Sequence, residues 1–363
     1  MDNYSFTAFF NKLKRAQDVK TSPGAGLNGV KIAKQASESV KKNGKALVFT
    51  KEIPVAVNLL ASTKKLKVAL GYTLSVIAEQ AHQYITEQPE VELSYCEMEY
   101  YDDFYISELP ISKHYKTDVS GSINMGCVIS KDRDIHNCGI YRIQPLDDEK
   151  AVIHCAPESG LGKQLSKGED VPVTIAVGTT PHLIYAAAAT LPDNIDELKL
   201  AAYLHPEEMK FVKTSLYPVP FDTQIIIQGR VSATETHPEG PFTIHTGGQS
   251  AVEDFPVLHI ESVMISATPI YQTTVTGEMP MESAHILRAA NMIQFNRVHA
   301  TNPNIMSISH PIEGVFFKEV DVHYIGDKAE VEKLIKEDEF YGKFEKINLL
   351  QDEQKDSKYK NNN

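Results

Sequence analysis

Positive charge, paired cysteines and long apolar runs are all scarce in this sequence of 363 residues. Its 36 Lys and Arg are outnumbered by 48 Asp and Glu, and no basic stripe offsets the net charge of −12, which argues against nucleic-acid binding. The longest apolar run, Leu183 to Leu191, is too short to span a bilayer. Residues 1–20 carry charges throughout and lack the apolar core of a signal peptide.

The four cysteines show neither C-x-x-C spacing nor the framework of a disulfide-rich protein. We therefore predict reduced thiols and a cytoplasmic location. The composition, 42% hydrophobic and 23% charged, is that of a globular protein with two or more domains.

The first part of the chain alternates between helical and strand-like patterns. Apolar residues at helical spacing indicate amphipathic helices, and short runs rich in β-branched residues indicate buried strands. This order predicts an N-terminal α/β domain over residues 1–112. Its helices are expected over 6–17, 30–42 and 70–88, and its strands over 45–50 and 54–60.

From Lys116 onward the pattern changes to many short strands separated by turn residues, which is typical of a barrel or a sandwich. We assign residues 113–327 to this second domain and 328–363 to a C-terminal helix and a tail, so the fold class is α+β. The polar tail over 355–363 is predicted to be disordered. Helices are expected over 181–190, 195–204, 281–300 and 329–339.

A short motif, Asn137-Cys-Gly-Ile-Tyr-Arg142, lies between two runs with strand-like composition. In an extended conformation Ile140 and Arg142 point to one face and Tyr141 to the other. A buried Arg needs an anionic partner, because an unpaired charge away from water is very costly. The best candidate is Glu239, in Pro238-Glu-Gly-Pro-Phe-Thr-Ile-His-Thr-Gly247.

These two motifs, in this order and at this separation, resemble those of the UbiD family of decarboxylases, which use prenylated flavin mononucleotide (prenylated FMN). The resemblance runs from the N-terminus to roughly residue 325. It implies a split β-barrel that holds the flavin, with helices inserted between its strands. It also implies a lyase that removes or adds the carboxyl group of an aromatic or α,β-unsaturated acid.

The resemblance implies that the stretch after the Ile-Tyr-Arg strand contacts prenylated FMN, or FMN itself, and its phosphate. Glycine suits such a role, because it lets backbone N–H groups approach an anion closely. By position, the flavin contacts fall on Ile140, Tyr141, Arg142, His154, Cys155, Ala156, Ser159 and Gly160.

The family also binds a divalent cation that bridges the protein and the flavin phosphate through an Asn, a His and a Glu. By position these ligands are Asn137, Glu158 (where the family has His) and Glu197. An amide oxygen and two carboxylates favour Mg²⁺ or Mn²⁺ over zinc. We also consider K⁺ as a further ion.

The family's catalytic groups are an Arg, a Glu and a second acid five residues after that Glu. Here they correspond to Arg142, Glu239 and Ile244, and isoleucine cannot carry a proton. His245 is our first choice as the substitute. It can reach the site only if its segment is a loop, which the flanking glycines favour. Glu235 and His237 remain alternatives.

Three interpretations follow from the resemblance. The first is an active UbiD-like (de)carboxylase; the second is a flavin-binding member without decarboxylase activity, because Ile244 removes the usual proton donor. Since family members continue well past the barrel, the third is a non-catalytic subunit of a larger decarboxylase assembly. The implied partners are a small carboxylic acid, a flavin prenyltransferase that supplies the cofactor, and either further copies of the chain or another subunit.

Overall fold

The computed structural model describes residues 2–24 and 26–352, and within them the chain forms nine α-helices and seventeen β-strands. The helices are α1 (Phe6–Arg15), α2 (Gly29–Lys41), α3 (Thr63–Leu70), α4 (Leu74–Glu87), α5 (Gly160–Leu165), α6 (Pro181–Ala188), α7 (Glu197–Leu204), α8 (Glu282–Thr301) and α9 (Lys328–Glu337). The strands are β1 (Val19–Pro23), β2 (Ala46–Thr50), β3 (Val55–Val57), β4 (Ser94–Tyr95), β5 (Tyr101–Phe104), β6 (Ile123–Asp132), β7 (Ile135–Pro145), β8 (Lys150–His154), β9 (Val171–Val177), β10 (Lys210–Val212), β11 (Val219–Pro220), β12 (Ile225–Glu239), β13 (Glu253–Ile265), β14 (Tyr271–Gln272), β15 (Ile305–Ser309), β16 (Glu319–Tyr324) and β17 (Lys346–Gln351). The mixed α+β fold predicted from the sequence is confirmed.

The N-terminal part contains a four-stranded sheet in the order β1-β2-β3-β14. The predicted helices over 6–17 and 30–42 are present as α1 and α2, and each begins at a polar residue, Ser5 or Asn28, whose side chain accepts a backbone hydrogen bond from the first turn. The helix predicted over 70–88 is present as α4, and α3 is an additional helix before it that the sequence did not predict. Gly71, with φ +78°, ends α3 in the left-handed conformation that glycine adopts most easily.

Six antiparallel strands form the barrel, in the order β12-β9-β6-β7-β8-β13, and pairing between β12 and β13 closes it. This closure confirms the predicted barrel. Its interior is filled by buried aliphatic side chains, among them Ile143, Ile153, Ile175 and Ile227. Strand β5 adds an edge strand beside β13.

Helices α6 and α7 pack on the outside of the barrel against β7, the strand that carries the first motif. They share one hydrophobic core with the N-terminal helices and α8, in which Cys138 of β7 packs with Ile77, Leu183, Leu198 and Ile293. The first motif therefore lies on a strand that is fixed from both faces. A separate small sheet has the order β11-β10-β4.

After α8 the chain forms a small C-terminal unit with the strand order β15-β16-β17. Helix α9 connects the parallel strands β16 and β17 and buries Val331 and Ile335, so the helix predicted over 329–339 is present but is solvated on one side only. Strand β17 was not predicted. The tail predicted over 355–363 lies outside the described residues.

The division at residues 112 and 327 stays a prediction, although β14 pairs with β3 across the first boundary and β16 with β17 across the second. No helix in the described ranges combines the length and the hydropathy needed to cross a membrane. Cys96, Cys127, Cys138 and Cys155 are all free, and the last three are buried.

Candidate active site

The centre of the candidate site is an ion pair between Arg142 on β7 and Glu239 at the end of β12. Arg142 Nε and Nη2 donate to the two carboxylate oxygens of Glu239, and the Nη2–Oε2 distance is 2.8 Å. The side chain of Glu239 is 1% exposed and that of Arg142 is 17% exposed. The structure therefore contains the pairing expected from the two motifs. Two parallel N–H···O bonds fix the plane of the guanidinium group.

The carboxyl group of Glu239 is held in its ionised form. Burial would raise its pKa, but hydrogen bonds from His154 and Arg142, together with the positive charge of Arg142, hold the pKa below its ordinary value. The guanidinium carbon of Arg142 lies 4.7 Å from the centre of the Phe242 ring, which covers one face of the charge. Glu239 is thus a permanent acceptor near neutral pH.

His154 on β8 is the third member of this cluster. It lies directly opposite Arg142 in the register of β7 and β8. Its Nδ1 is 3.1 Å from Arg142 Nη2 and 3.3 Å from Glu239 Oε2. Its ring packs on Phe255 of β13, with the ring centres 4.1 Å apart. The sequence predicts His154 only as a flavin contact, although the register of the hairpin, had it been known, would have placed it beside Arg142.

At the other end of β7, Asn137 lies in tight contact with Gly160, the first residue of α5. A Cβ atom on Gly160 would be only 1.7 Å from Asn137 Oδ1, so no larger residue fits while Asn137 keeps this position. Asn137 Nδ2 donates to Ser130 Oγ at 3.2 Å. These contacts orient the amide oxygen of Asn137 toward the turn that contains the other predicted flavin contacts.

Glu197 lies in the first turn of α7 and accepts a backbone hydrogen bond from Cys138, the residue after Asn137. Its Oε2 is buried and has no hydrogen-bond partner among the described residues. Burial, with the nearby charge of Asp196, raises the pKa of Glu197 to about 8. A buried carboxylate oxygen without a partner is a position that a cation would satisfy.

Glu158, the third predicted ligand, is exposed in the turn before α5. No cluster of three His, Cys, Asp or Glu side chains suited to a metal occurs in the part of the chain that the structure describes. Glu197 is linked to the first motif through the backbone of Cys138, and Glu158 lies two residues before Gly160, which contacts Asn137.

Most of the remaining predicted flavin contacts lie between the end of β8 and the start of α5, whereas Ile140 and Tyr141 lie on β7. Ser159 caps α5 and accepts from Gly162 N at 3.1 Å, while Leu161 N lies 3.5 Å from the hydroxyl of Tyr141. Cys155 is buried, and burial raises the pKa of its thiol to about 11, so it stays protonated. Of the other predicted contacts, Ile140 is half-buried, Ala156 is exposed and Gly160 is half-buried.

His245, the predicted proton donor, lies in a tight turn that is closed by a bridge between Thr243 and Gln249. The segment is therefore a loop, as the assignment requires. The His245 ring stacks on Phe316, with ring centres 4.5 Å apart, and no hydrogen bond joins it to Arg142 or Glu239 in the described residues. Burial and the charge of Lys318 lower its pKa.

The two alternative donors are engaged elsewhere. Glu235 forms an ion pair with Lys150 at 2.7 Å, and its other carboxylate oxygen lies 2.8 Å from His259 Nε2. His237 is exposed, and its Nδ1 lies 2.9 Å from the carbonyl oxygen of Pro238. Within the described residues, neither side chain forms a hydrogen bond or an ion pair with Arg142 or Glu239.

Sequence reasoning missed a group of residues that joins Arg142 to a larger cleft. A cavity of about 640 Å³ lies between α2 and the turn that contains Thr243, and a small cavity that includes Arg142 shares His114, Tyr115 and Thr243 with it. Asp118 fixes this turn, because its Oδ1 accepts from Thr243 N at 2.8 Å and from Thr243 Oγ1 at 2.9 Å. No local sequence pattern marks these residues.

The chain thus has a closed antiparallel barrel that holds a buried Arg–Glu ion pair. Comparison with known proteins assigns a barrel of this kind to a family. The profile described as "UbiD: 3-octaprenyl-4-hydroxybenzoate carboxy-lyase Rift-related domain" matches residues 88–279. The chain belongs to the UbiD family.

Two relatives are uncharacterized proteins. One, from Archaeoglobus fulgidus, is 29% identical over 321 residues, which are 79% of this chain and 67% of that protein. The other, from Aquifex aeolicus, is 30% identical over 313 residues, which are 75% of this chain and 64% of that protein. The chain thus spans about two thirds of the length of these relatives.

Solved structures share the fold over nearly the whole chain. An evolved dimeric form of the UbiD-class enzyme HmfF from Pelotomaculum thermopropionicum, in complex with prenylated FMN, has a TM-score of 0.84 at 18% identity and covers 96% of this chain and 85% of its own. Vanillic acid decarboxylase from Sedimentibacter hydroxybenzoicus has a TM-score of 0.83 at 17% identity and covers 96% of this chain and 80% of its own.

Proposed function

We propose that this chain is a prenylated-FMN-dependent carboxy-lyase, which removes or adds the carboxyl group of an aromatic or α,β-unsaturated acid. The observation that carries the proposal is the buried ion pair of Arg142 and Glu239. Arg142 uses Nε and Nη2 for Glu239, and no partner is found for Nη1 in the described residues. That nitrogen is available to bind and orient a substrate carboxylate.

The residues along β7 fit a bound flavin and a cation. Asn137 and Glu197 would hold Mg²⁺ or Mn²⁺ beside the flavin phosphate, which would give the buried Oε2 of Glu197 a partner. Glu158 is the third proposed ligand, and a K⁺ ion stays a prediction. The bound flavin would supply an electron sink for the electron pair left when CO₂ departs. The protein's own tasks are to orient the carboxylate and to move a proton.

The proposed partners follow from the same assignment. A flavin prenyltransferase would supply the cofactor. The similar solved structures include a dimeric form of HmfF and a complex named ShVdcCD. On that basis we propose that this chain also assembles, either with itself or with another subunit. The cytoplasmic location predicted from its cysteines is part of the same proposal.

Ile244 favours a second candidate function, a flavin-binding protein that does not decarboxylate. The family places an acid at this position, and here an aliphatic side chain is half-buried in the turn. If no other group delivers a proton to the product carbon, the reaction would stop after loss of CO₂.

Coexpression with a flavin prenyltransferase separates these functions. The purified protein is characterised by its visible spectrum, the mass of its cofactor and turnover of a panel of aromatic and unsaturated acids. We expect prenylated flavin and CO₂ release, and we expect Arg142→Gln to abolish turnover while Arg230→Gln, an exposed arginine of the same barrel, does not. Bound flavin without turnover favours the second function. Protein without flavin that copurifies with a large subunit favours a non-catalytic role.

A further inference from the structure

His154 is the one further titratable side chain of the described residues within hydrogen-bond distance of the Arg142–Glu239 pair. It is 40% exposed, whereas Glu239 is almost fully buried. The charged groups that face its ring are Arg142 from β7 and Glu239 from β12, and β13 contributes the uncharged ring of Phe255. His154 thus connects a buried ion pair with solvent.

The two contacts of His154 use the same ring nitrogen and exclude each other. Nδ1 can accept a hydrogen bond from Arg142 Nη2 only when it is unprotonated, and it can donate to Glu239 Oε2 only when it is protonated. A proton on Nδ1 therefore replaces the bond to Arg142 with a bond to Glu239. The same event frees one N–H of Arg142 for a substrate carboxylate.

The other groups near the pair are poor proton donors. Glu239 stays ionised, since its pKa is lowered by the bonds described above. Burial lowers the pKa of His114, which lines the small cavity at Arg142, to about 4, so this imidazole is neutral at pH 7. His245 is turned to Phe316, and Ile244 has no proton to give.

We propose that His154 is the catalytic acid that delivers a proton to the product carbon, a role that rests on the proposed function. The C–C bond to the carboxylate breaks, CO₂ leaves, and the electron pair of that bond, which the bound flavin would stabilise, becomes available at the substrate carbon. The protonated imidazole gives its Nε2 proton to that carbon, forming the new C–H bond, while Glu239 holds the Nδ1 proton. The neutral imidazole then regains a proton from solvent through its exposed edge.

The test uses the flavin-loaded protein and compares His154→Gln and His154→Asn with His259→Gln. His259 is a matched control, since it is equally exposed and also pairs with a carboxylate, Glu235, on the same barrel. We expect both His154 variants to keep their flavin but to form product about 10²- to 10⁴-fold more slowly, with one ionisation lost from the pH profile of kcat. The His259 variant should keep the rate and the profile.

A rescue experiment adds an acid at the position where the family has one. Ile244→Glu should restore much of the rate lost in His154→Gln and should add little to the protein that retains His154. If the wild-type protein is active and both His154 variants keep its rate and pH profile, the role assigned to His154 is wrong. The proposed function would still stand in that case. Wild-type protein that holds the flavin but turns over no acid overturns the proposed function, and this assignment with it.

A readout without turnover uses the cofactor-free protein. Long-range ¹H–¹⁵N spectra identify the imidazole of His154 by its absence in His154→Gln. Glu239→Gln should shift these signals, because it removes the acceptor for Nδ1–H, and His259→Gln should leave them in place. Signals that do not respond to Glu239→Gln would contradict the link between the two residues.

Discussion

At the level of single residues, the two ends of β7 carry different kinds of side-chain groups. At one end, Arg142, Glu239 and His154 form a cluster joined by hydrogen bonds. At the other end, Asn137 is held still by Gly160 and Ser130, and Glu197 keeps a buried oxygen without a partner among the described residues. A hydrogen-bonded group of acid and base side chains suits proton transfer to a substrate, and a fixed oxygen suits the binding of a cation.

We expect Asn137→Ala and Glu197→Ala each to lower metal and flavin content together, because the proposed cation would hold the flavin phosphate. Loss of one ligand commonly lowers metal affinity about 10-fold or more. Elemental analysis and the visible spectrum of the purified variants measure both contents. Glu169→Ala, at an exposed position, is the control. If both site variants retain full metal and full flavin, the assignment of these two ligands is wrong.

Gly160→Ala should have the same effect as Asn137→Ala, although alanine normally favours a helix by roughly 0.5–1 kcal/mol over glycine. The added methyl group would lie 1.7 Å from Asn137 Oδ1 and must displace that side chain. Flavin content is measured for both single variants and for the double variant. Because both changes act through Asn137, Gly160→Ala should have no further effect in the Asn137→Ala background. Additive losses would contradict the shared mechanism.

At the scale of elements, local pattern predicted most of the helices and the strands of the barrel. Some polar strands were not predicted, because their sequences lack a hydrophobic pattern. Strand β1 contains Val19 as its single aliphatic residue, and in β17 the polar residues Lys346, Asn348 and Gln351 interrupt the apolar ones. Their positions are set by pairing with β2 and β16, which are buried strands. Because pairing with neighbouring strands determines these elements, their own sequences do not predict them.

The sequence predicted the part of the candidate site in which a buried charge needs a partner of opposite charge. A buried Arg needs an anion, and a motif supplied Glu239. The contact of His154 follows from the register of a hairpin, and that of Asp118 with Thr243 joins residues 125 positions apart. Neither leaves a local signal, so both emerge only from the fold.

The turn that carries Ile244 and His245 depends on Asp118, which is buried and accepts from the backbone and the hydroxyl of Thr243 and from Tyr115 N at 3.0 Å. We expect Asp118→Ala to lower the free energy of unfolding by about 2–3 kcal/mol, since buried N–H groups lose their acceptor. Urea unfolding measures the change. Asp102→Ala, at an exposed acidic position, should stay within about 0.5 kcal/mol of the wild type. An equally small effect for Asp118→Ala would mean that the turn does not need this anchor.

At the scale of the whole molecule, α8 connects the barrel with the N-terminal and C-terminal parts. Its residues Ile286 and Ile293 belong to the core shared with the N-terminal helices, and Val298 belongs to the core of the C-terminal unit. Phe316, which lies between β15 and β16, stacks on His245 in the turn closed by Thr243 and Gln249. The segment between β15 and β16 thus contacts the turn that carries Ile244 and His245.

The first residue of α8, Glu282, makes the connection to the N-terminal sheet sensitive to pH. It is 1% exposed and accepts from Asn58 N at 3.1 Å and Leu60 N at 2.7 Å, and burial raises its pKa from 4.5 to about 7. Between these values the folded protein binds a proton that the unfolded chain has released. The contribution of this proton to the free energy of unfolding is therefore present below about pH 4.5 and is lost as the pH rises toward 7. At about 1.4 kcal/mol per pH unit, the total loss is about 3 kcal/mol. Glu282→Gln cannot ionise, so urea unfolding from pH 4.5 to 8 should show the stability of the wild type falling relative to the variant. Parallel pH profiles for the two proteins would show that Glu282 does not titrate in this range.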